Sequence, residues 1–264
     1  MNLKGLNADE QSRIVPPGTV LLAYRGSIAH GMYVPNTDPN SIDDKDLMGV
    51  SIPDDRFYFG LGNFEQAEIK HNEWDSVVYE IRKFVRLLVQ QNPNVMSLLW
   101  NEPKYYLIQD ESGKVLIENR HLFVSRKAYH SFTGYAYGQL KKMTHLAFNG
   151  YMGDKRKKLV EKYGYDTKNA AHLIRLLRMG IEFLNEGVLY VDRGAKGDAT
   201  QLLDIKRGEW TLEQVKAEAD ALFKRAESAY DNSRLPISVD TQKIDALLTD
   251  IVRGEIFARR CVAP

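Results

Sequence analysis

The feature that most constrains this chain is a short apolar run, Val20-Leu-Leu-Ala-Tyr24, which breaks at Arg25-Gly26-Ser27. It is followed by the acidic stretch Ser41-Ile-Asp-Asp-Lys-Asp-Leu-Met-Gly-Val50. A brief apolar run bounded by glycine reads as a buried strand, and the glycine lets the backbone turn sharply and approach a ligand. The N–H groups after such a turn point at whatever anion sits above them. The acidic stretch reads as the start of a second strand. Alternate residues of a strand project from one face, so Asp44 and Asp46 are expected side by side, with Lys45 pointing away. A phosphate seat at Gly26 and Ser27 beside paired carboxylates supplies what nucleotidyl transfer requires.

The remaining punctuation divides the chain. Residues 1–17 are polar and end in Pro16-Pro17, a stiff lead-in rather than a core element. Ile28 to Tyr33 reads as a brief helix, and Val34-Pro-Asn-Thr-Asp-Pro-Asn40 is dense in turn formers and reads as a loop. Arg56 to Leu61 is aromatic and β-prone, and Phe64 to Lys70 reads as a strand. Asp75 to Gln91 carries Val77, Val78, Ile81, Phe84, Val85 and Leu88 at helical spacing, stopped by Asn92-Pro93. A short helix over Asn94 to Trp100, a strand over Lys104 to Ile108 and a helix from Ser112 or Gly113 complete this half.

From Ser125 the texture is helical: Ser125 to Phe148, then Thr167 as N-cap of a helix ended by Gly187. Thr211-Leu-Glu-Gln214 forms a capping box for a helix to Tyr230, and Asp240 caps a last one to Arg260. The expected fold is therefore α/β (α+β): a small mixed-sheet domain over 1–120 and an all-helical domain over 121–264, with no flexible linker between them.

Gly26-Ser27 followed by Asp44-x-Asp46 resembles the motif of the DNA polymerase β nucleotidyltransferase superfamily. Further stretches are similar to its group of bacterial and phage predicted nucleotidyltransferases. These are Asp46-Leu-Met-Gly-Val-Ser-Ile-Pro53, Tyr79-Glu-Ile-Arg-Lys-Phe84, Asn92-Pro93 and Gly164-Tyr-Asp-Thr-Lys-Asn-Ala-Ala-His-Leu-Ile-Arg-Leu-Leu177. The resemblance implies transfer of an NMP from an NTP to an acceptor hydroxyl with release of pyrophosphate, in a cleft between the two domains. The implied ions are two Mg²⁺, with Mn²⁺ as the alternative. Two departures stand out: the gap between Ser27 and Asp44 is long, and Lys45 occupies a position between the acids that is usually apolar.

The resemblance also implies a third carboxylate on a later strand. Asp75 is the choice, because Trp74-Asp-Ser-Val-Val78 resembles the strand that carries it. Glu68 is the alternative, and Asp75 as a simple helix cap is the structural one. On the 167–187 helix, Leu173, Leu176, Leu177, Ile181 and Leu184 share one face. Lys168, His172 and Arg175 fall opposite, with Glu182 and Glu186, and alone would read as a solvated face. The resemblance makes them phosphate-binding cations, with Arg175 forking onto two oxygens.

Net charge is +1, so no global field draws the chain to nucleic acid or an anionic membrane. A local cluster, Asn149-Gly-Tyr-Met-Gly-Asp-Lys-Arg-Lys-Lys158, reads as a solvated loop or as a contact for NTP or a nucleic-acid acceptor. The tyrosines near it read mostly as core, Tyr135 beside Phe132 among them. One cysteine, Cys261, excludes an internal disulfide framework and reads as packing in the last helix. No apolar stretch reaches the ~20 residues of a membrane span, and a cytoplasmic location is expected. The acceptor is left open among an RNA end, a protein side chain and a small molecule, and the NTP base and oligomeric state are equally open. A catalytically inactive module that binds nucleotide or nucleic acid with the same fold is the alternative function.

Overall fold

A computed structural model of the chain describes residues 8–35, 37, 43–144 and 154–262. The residues fall into two units that do not follow chain order. One comprises 1–29, 44–124 and 239–264, and the other 30–43 and 125–238. A single boundary near residue 120 therefore does not describe the division: the last helix belongs with the sheet, and the segment before the acidic strand belongs with the helices.

The first unit is built on five strands: β1 (Thr19–Tyr24), β2 (Lys45–Ser51), β3 (Gln66–His71), β4 (Trp74–Glu80) and β5 (Tyr106–Gln109). Their order is β3-β4-β2-β1-β5. β2 and β4 are parallel, and every other pair is antiparallel. The sheet is mixed, with helices around it, and the α+β expectation holds.

β3 and β4 form a hairpin through Asn72-Glu73, with Asn72 at φ 53°, a conformation asparagine tolerates better than most residues. On one side of the sheet Leu22, Leu47, Trp74 and Val78 form a core cluster with Ile14. Ile14 ends the helix Ala8–Ile14 and is fully buried, so the N-terminal segment contributes to the core rather than merely leading into it.

Two elements change type. The sequence 75–80 is strand, because it pairs with β2 on one side and β3 on the other, and the helix starts only at Ile81, capped by the Glu80 carboxylate accepting from the Lys83 N–H. The aromatic run Arg56–Phe59 is a single helical turn. Asn92 does more than end a helix: its side chain accepts from the N–H groups of Asn94 and Val95 to open the next, Pro93–Leu99. The C-terminal helix Thr241–Val262 is capped by Asp240, as expected, and Cys261 on it is exposed rather than packed.

The second unit is helical. Its central element is Thr167–Glu186, capped at Asp166, one residue earlier than expected, and closed by Gly187 at φ 70°. The capping box at Thr211 and Gln214 opens Leu212–Asn232. The helix expected over 125–148 runs Ala128–Thr144, and 145–148 lie outside the described residues. Of the basic cluster, 149–153 also lie outside them, while the helix Asp154–Tyr163 carries the rest. Phe132 is buried, but Tyr135 is 37% exposed, so that tyrosine is not core. Among the described residues no helix is long and apolar enough to cross a membrane.

Candidate active site

β1 delivers its chain into a turn at Gly26, which opens the single helical turn Gly26–Ala29. Gly26 has φ +62°, and a Cβ there would strike the Asp46 carboxylate. The glycine is thus required twice, by its backbone angle and by the side chain seated against it. The Arg25 N–H donates to the Asp46 carbonyl at 2.9 Å, which ties the turn to the start of β2.

In the parallel pair of β2 and β4, Asp46 is the register partner of Asp75. Register partners on adjacent strands project to the same side, so the two acids neighbour each other across the sheet. Asp44 is exposed and stands one residue before β2. Lys45 is the partner of Trp74 on the other side, where its Nζ lies 2.5 Å from Glu73 and 5.0 Å from the Trp74 ring centre. That resolves the unusual cation between the acids: alternation removes it from them.

Asp75 is held by two cations, Arg25 at 3.6 Å and Lys70 at 3.5 Å. Lys70 is largely exposed, and a pair of that kind contributes little. Arg25 is more informative. Its Nε is buried without a hydrogen-bond partner among the described residues, next to the Gly26 turn. Such a donor loses its hydration without replacement unless an acceptor arrives. Glu68, the alternative third acid, faces Val77 across β3 and β4 and bonds Gln66.

Among the described residues no group of three or more His, Cys, Asp or Glu side chains is close enough to hold a metal ion. Mg²⁺ commonly uses one or two carboxylates and fills its remaining positions with water and substrate phosphate, so Asp46 and Asp75 fit it as hard oxygen donors without a larger cluster.

The expected phosphate-binding cations lie in the helical unit, and they are engaged there. Arg175 is buried, not on a solvated face: its Nη1 meets His30 Nε2 at 2.6 Å and Met179 Sδ at 3.2 Å. Burial, then the charge of Arg193, pulls its pKa well below the usual arginine value. His30 Nδ1 meets the Val191 carbonyl at 2.9 Å. Lys168 lies 3.4 Å from Asp43. Asp43 is buried, bonds Lys206 and accepts the Val34 N–H, which fastens the segment before the acidic strand to this unit. His172 is half-buried on the same helix.

Sequence reasoning passed over Arg25 as a site group, and over Asp43, Lys206 and Arg193 altogether. Arg25 had a signal, its place directly before the glycine. The other three meet partners remote in sequence, and no local pattern marks them.

His30 titration carries a prediction. Burial and the Arg175 charge hold its folded pKa well below the unfolded value of ~6.5. Between those two values the unfolded chain binds more protons, so stability falls as pH drops below ~6.5, by up to about 1.4 kcal/mol per pH unit. Urea midpoints measured from pH ~7.5 to ~5 should show this slope, and His30→Gln should flatten it.

The five-stranded mixed sheet with helices around it defines an α+β protein. Residues 3–250 match the RlaP family, described as the RNA repair pathway DNA polymerase beta family, and the chain belongs to that family. A nucleotidyltransferase-like protein from Exiguobacterium sibiricum 255-15 is similar over 81% of this chain and 69% of its own, at 9% identity and a TM-score of 0.28. No curated protein matches.

Proposed function

We propose that the chain transfers an NMP from an NTP to an acceptor hydroxyl and releases pyrophosphate, with Asp46 and Asp75 as the metal-holding acids. The observation that carries this reading is Asp46 seated on Gly26 with Asp75 in register beside it. Asp44 lies two residues before Asp46 and adds negative charge to the same edge. The Gly26 and Ser27 backbone would hold triphosphate oxygens, and the unpartnered Arg25 Nε would donate to one of them. A bound divalent cation would neutralise phosphate charge and make the acceptor hydroxyl more acidic. The protein's own share is to align the acceptor with the α-phosphorus and hold donors where charge develops. The family description names an RNA repair pathway, so an RNA end is the acceptor we assign first.

The test is incubation with α-labelled NTPs, Mg²⁺ and a short RNA. Labelled RNA and pyrophosphate are expected, and neither should form with Gly26→Ala, whose methyl would displace the Asp46 carboxylate. Nucleotide binding without either product would instead identify an inactive binding module.

A further inference from the structure

At the other end of the same sheet the first unit holds a pocket of about 430 Å³. β2 and β4 both start at the acids, and the pocket is built on the segments beyond their far ends. Tyr58 and Phe59 come from the turn after β2, and Arg82 from the first turn after β4. The opposite wall is the C-terminal helix, which contributes Leu248, Val252 and Ile256 at helical spacing. A seven-residue strand at ~3.3 Å per residue puts this pocket on the order of 20 Å from Asp46 and Asp75. The two sites are separate.

The volume falls within the ~300–1,000 Å³ typical of small-ligand sites. Its lining is aromatic and aliphatic, and two of the rings stay in water: Phe59 is 74% exposed and Phe257 64%. Three arginines line it against one acid, Asp245. Two of the three are already engaged. Arg82 lies 4.6 Å from the Tyr58 ring centre and bonds Glu80 at 3.0 Å, while Arg260 bonds Asp55 at 2.5 Å and 3.1 Å. Tyr58 donates to Glu80 at 3.1 Å, which fixes its ring in the wall. Arg253 is exposed, and among the described residues it has neither a hydrogen bond nor an ion pair. The pocket therefore combines an aromatic and apolar lining with one guanidinium left for an anion.

We propose that this pocket binds a small aromatic anion, with the ring on its apolar lining and the charge on Arg253. A nucleoside monophosphate has this chemistry, either free or as the last nucleotide of a single strand. Asp245 and Thr249, on the same wall, supply an acceptor and a hydroxyl for the edge of a base.

The test is a fluorescence titration of the full chain with 1-anilinonaphthalene-8-sulfonate, displaced by AMP. One saturable site is expected, emptied by AMP and at least roughly tenfold less readily by adenosine, which lacks the charge. Arg253→Glu should weaken AMP about tenfold and leave adenosine unchanged. Val252→Trp should fill the cavity and abolish probe binding. If that variant fails to fold, Phe257→Ala takes its place, because Phe257 is mostly in water and its loss leaves the core intact. A tetranucleotide RNA that displaces the probe tenfold better than AMP identifies a strand end as the source of the ligand, and equal or weaker displacement identifies the free nucleotide; both support the pocket. AMP displacement that survives Arg253→Glu and Phe257→Ala unchanged, or that adenosine matches, overturns the proposal.

Discussion

Asp46→Asn will lower NMP transfer by about a thousandfold or more with little change in stability. The amide keeps the shape of the side chain against Gly26, and the backbone bond from Arg25 to the Asp46 carbonyl is untouched. What disappears is a negative charge on which a divalent cation would depend, and several kcal/mol of transition-state stabilisation go with it. Asp75→Asn should cost less, about ten- to a hundredfold, because the half-buried Arg25 guanidinium already offsets part of its charge. Lys45→Met is the internal control. Its ammonium sits against Glu73 and Trp74 on the other side of the sheet, so activity should stay within about twofold. Initial rates of pyrophosphate release at saturating NTP check all three.

Arg193→Met will destabilise the helical unit by about 3–5 kcal/mol. The arginine is 1% exposed, and its guanidinium bonds Glu182 at 2.6 and 3.0 Å and Asp198 at 2.8 and 2.7 Å. Burial works against its charge, and the hydrogen bonds and charges of Glu182 and Asp198 more than offset this. Removing it leaves two largely buried carboxylates with one remaining cation, Arg178, shared with Glu218. For a unit of this size the loss corresponds to a fall in Tm of about 10 °C or more. Thermal unfolding by circular dichroism reads it directly. Lys196→Met provides the contrast: it is 3.9 Å from an exposed Glu186 and should shift Tm by less than about 2 °C.

Part of the candidate site follows from local pattern. A glycine after a buried strand is a statement about adjacent residues, and alternation sends Lys45 to the side opposite Asp46. Asp44, by contrast, lies one residue before β2, and the pairing of Asp46 with Asp75 depends on register between strands. Caps were legible from local pattern too, as at Thr211, Asp240 and Gly187. The helix drawn from Asp75 failed because Val77, Val78 and Ile81 fit a helical face, while a central strand with consecutive buried residues shows no alternation to compete with it. The strand prevailed through pairing with β2 and β3, which no local window contains. The surroundings of Arg175 were hidden for a related reason. Its place opposite the leucines reads, taken alone, as a solvated face, yet His30, distant in sequence, covers that face. The division into units was hidden too, since the return of the C-terminal helix to the sheet rests on contacts such as Arg259 with the Ile52 carbonyl at 2.8 Å.

Every role assigned to this site depends on the edge carrying Asp46 and Asp75 holding a metal beside a phosphate seat at Gly26 and Ser27. A crystal soaked with Mn²⁺ and a non-hydrolysable NTP decides it, because Mn²⁺ scatters anomalously and keeps the oxygen preferences of Mg²⁺. The expected result is an anomalous peak bridging the Asp46 and Asp75 carboxylates, with triphosphate oxygens on the Gly26-Ser27 backbone. A peak elsewhere, or a triphosphate bound away from that turn, would refute the assignment.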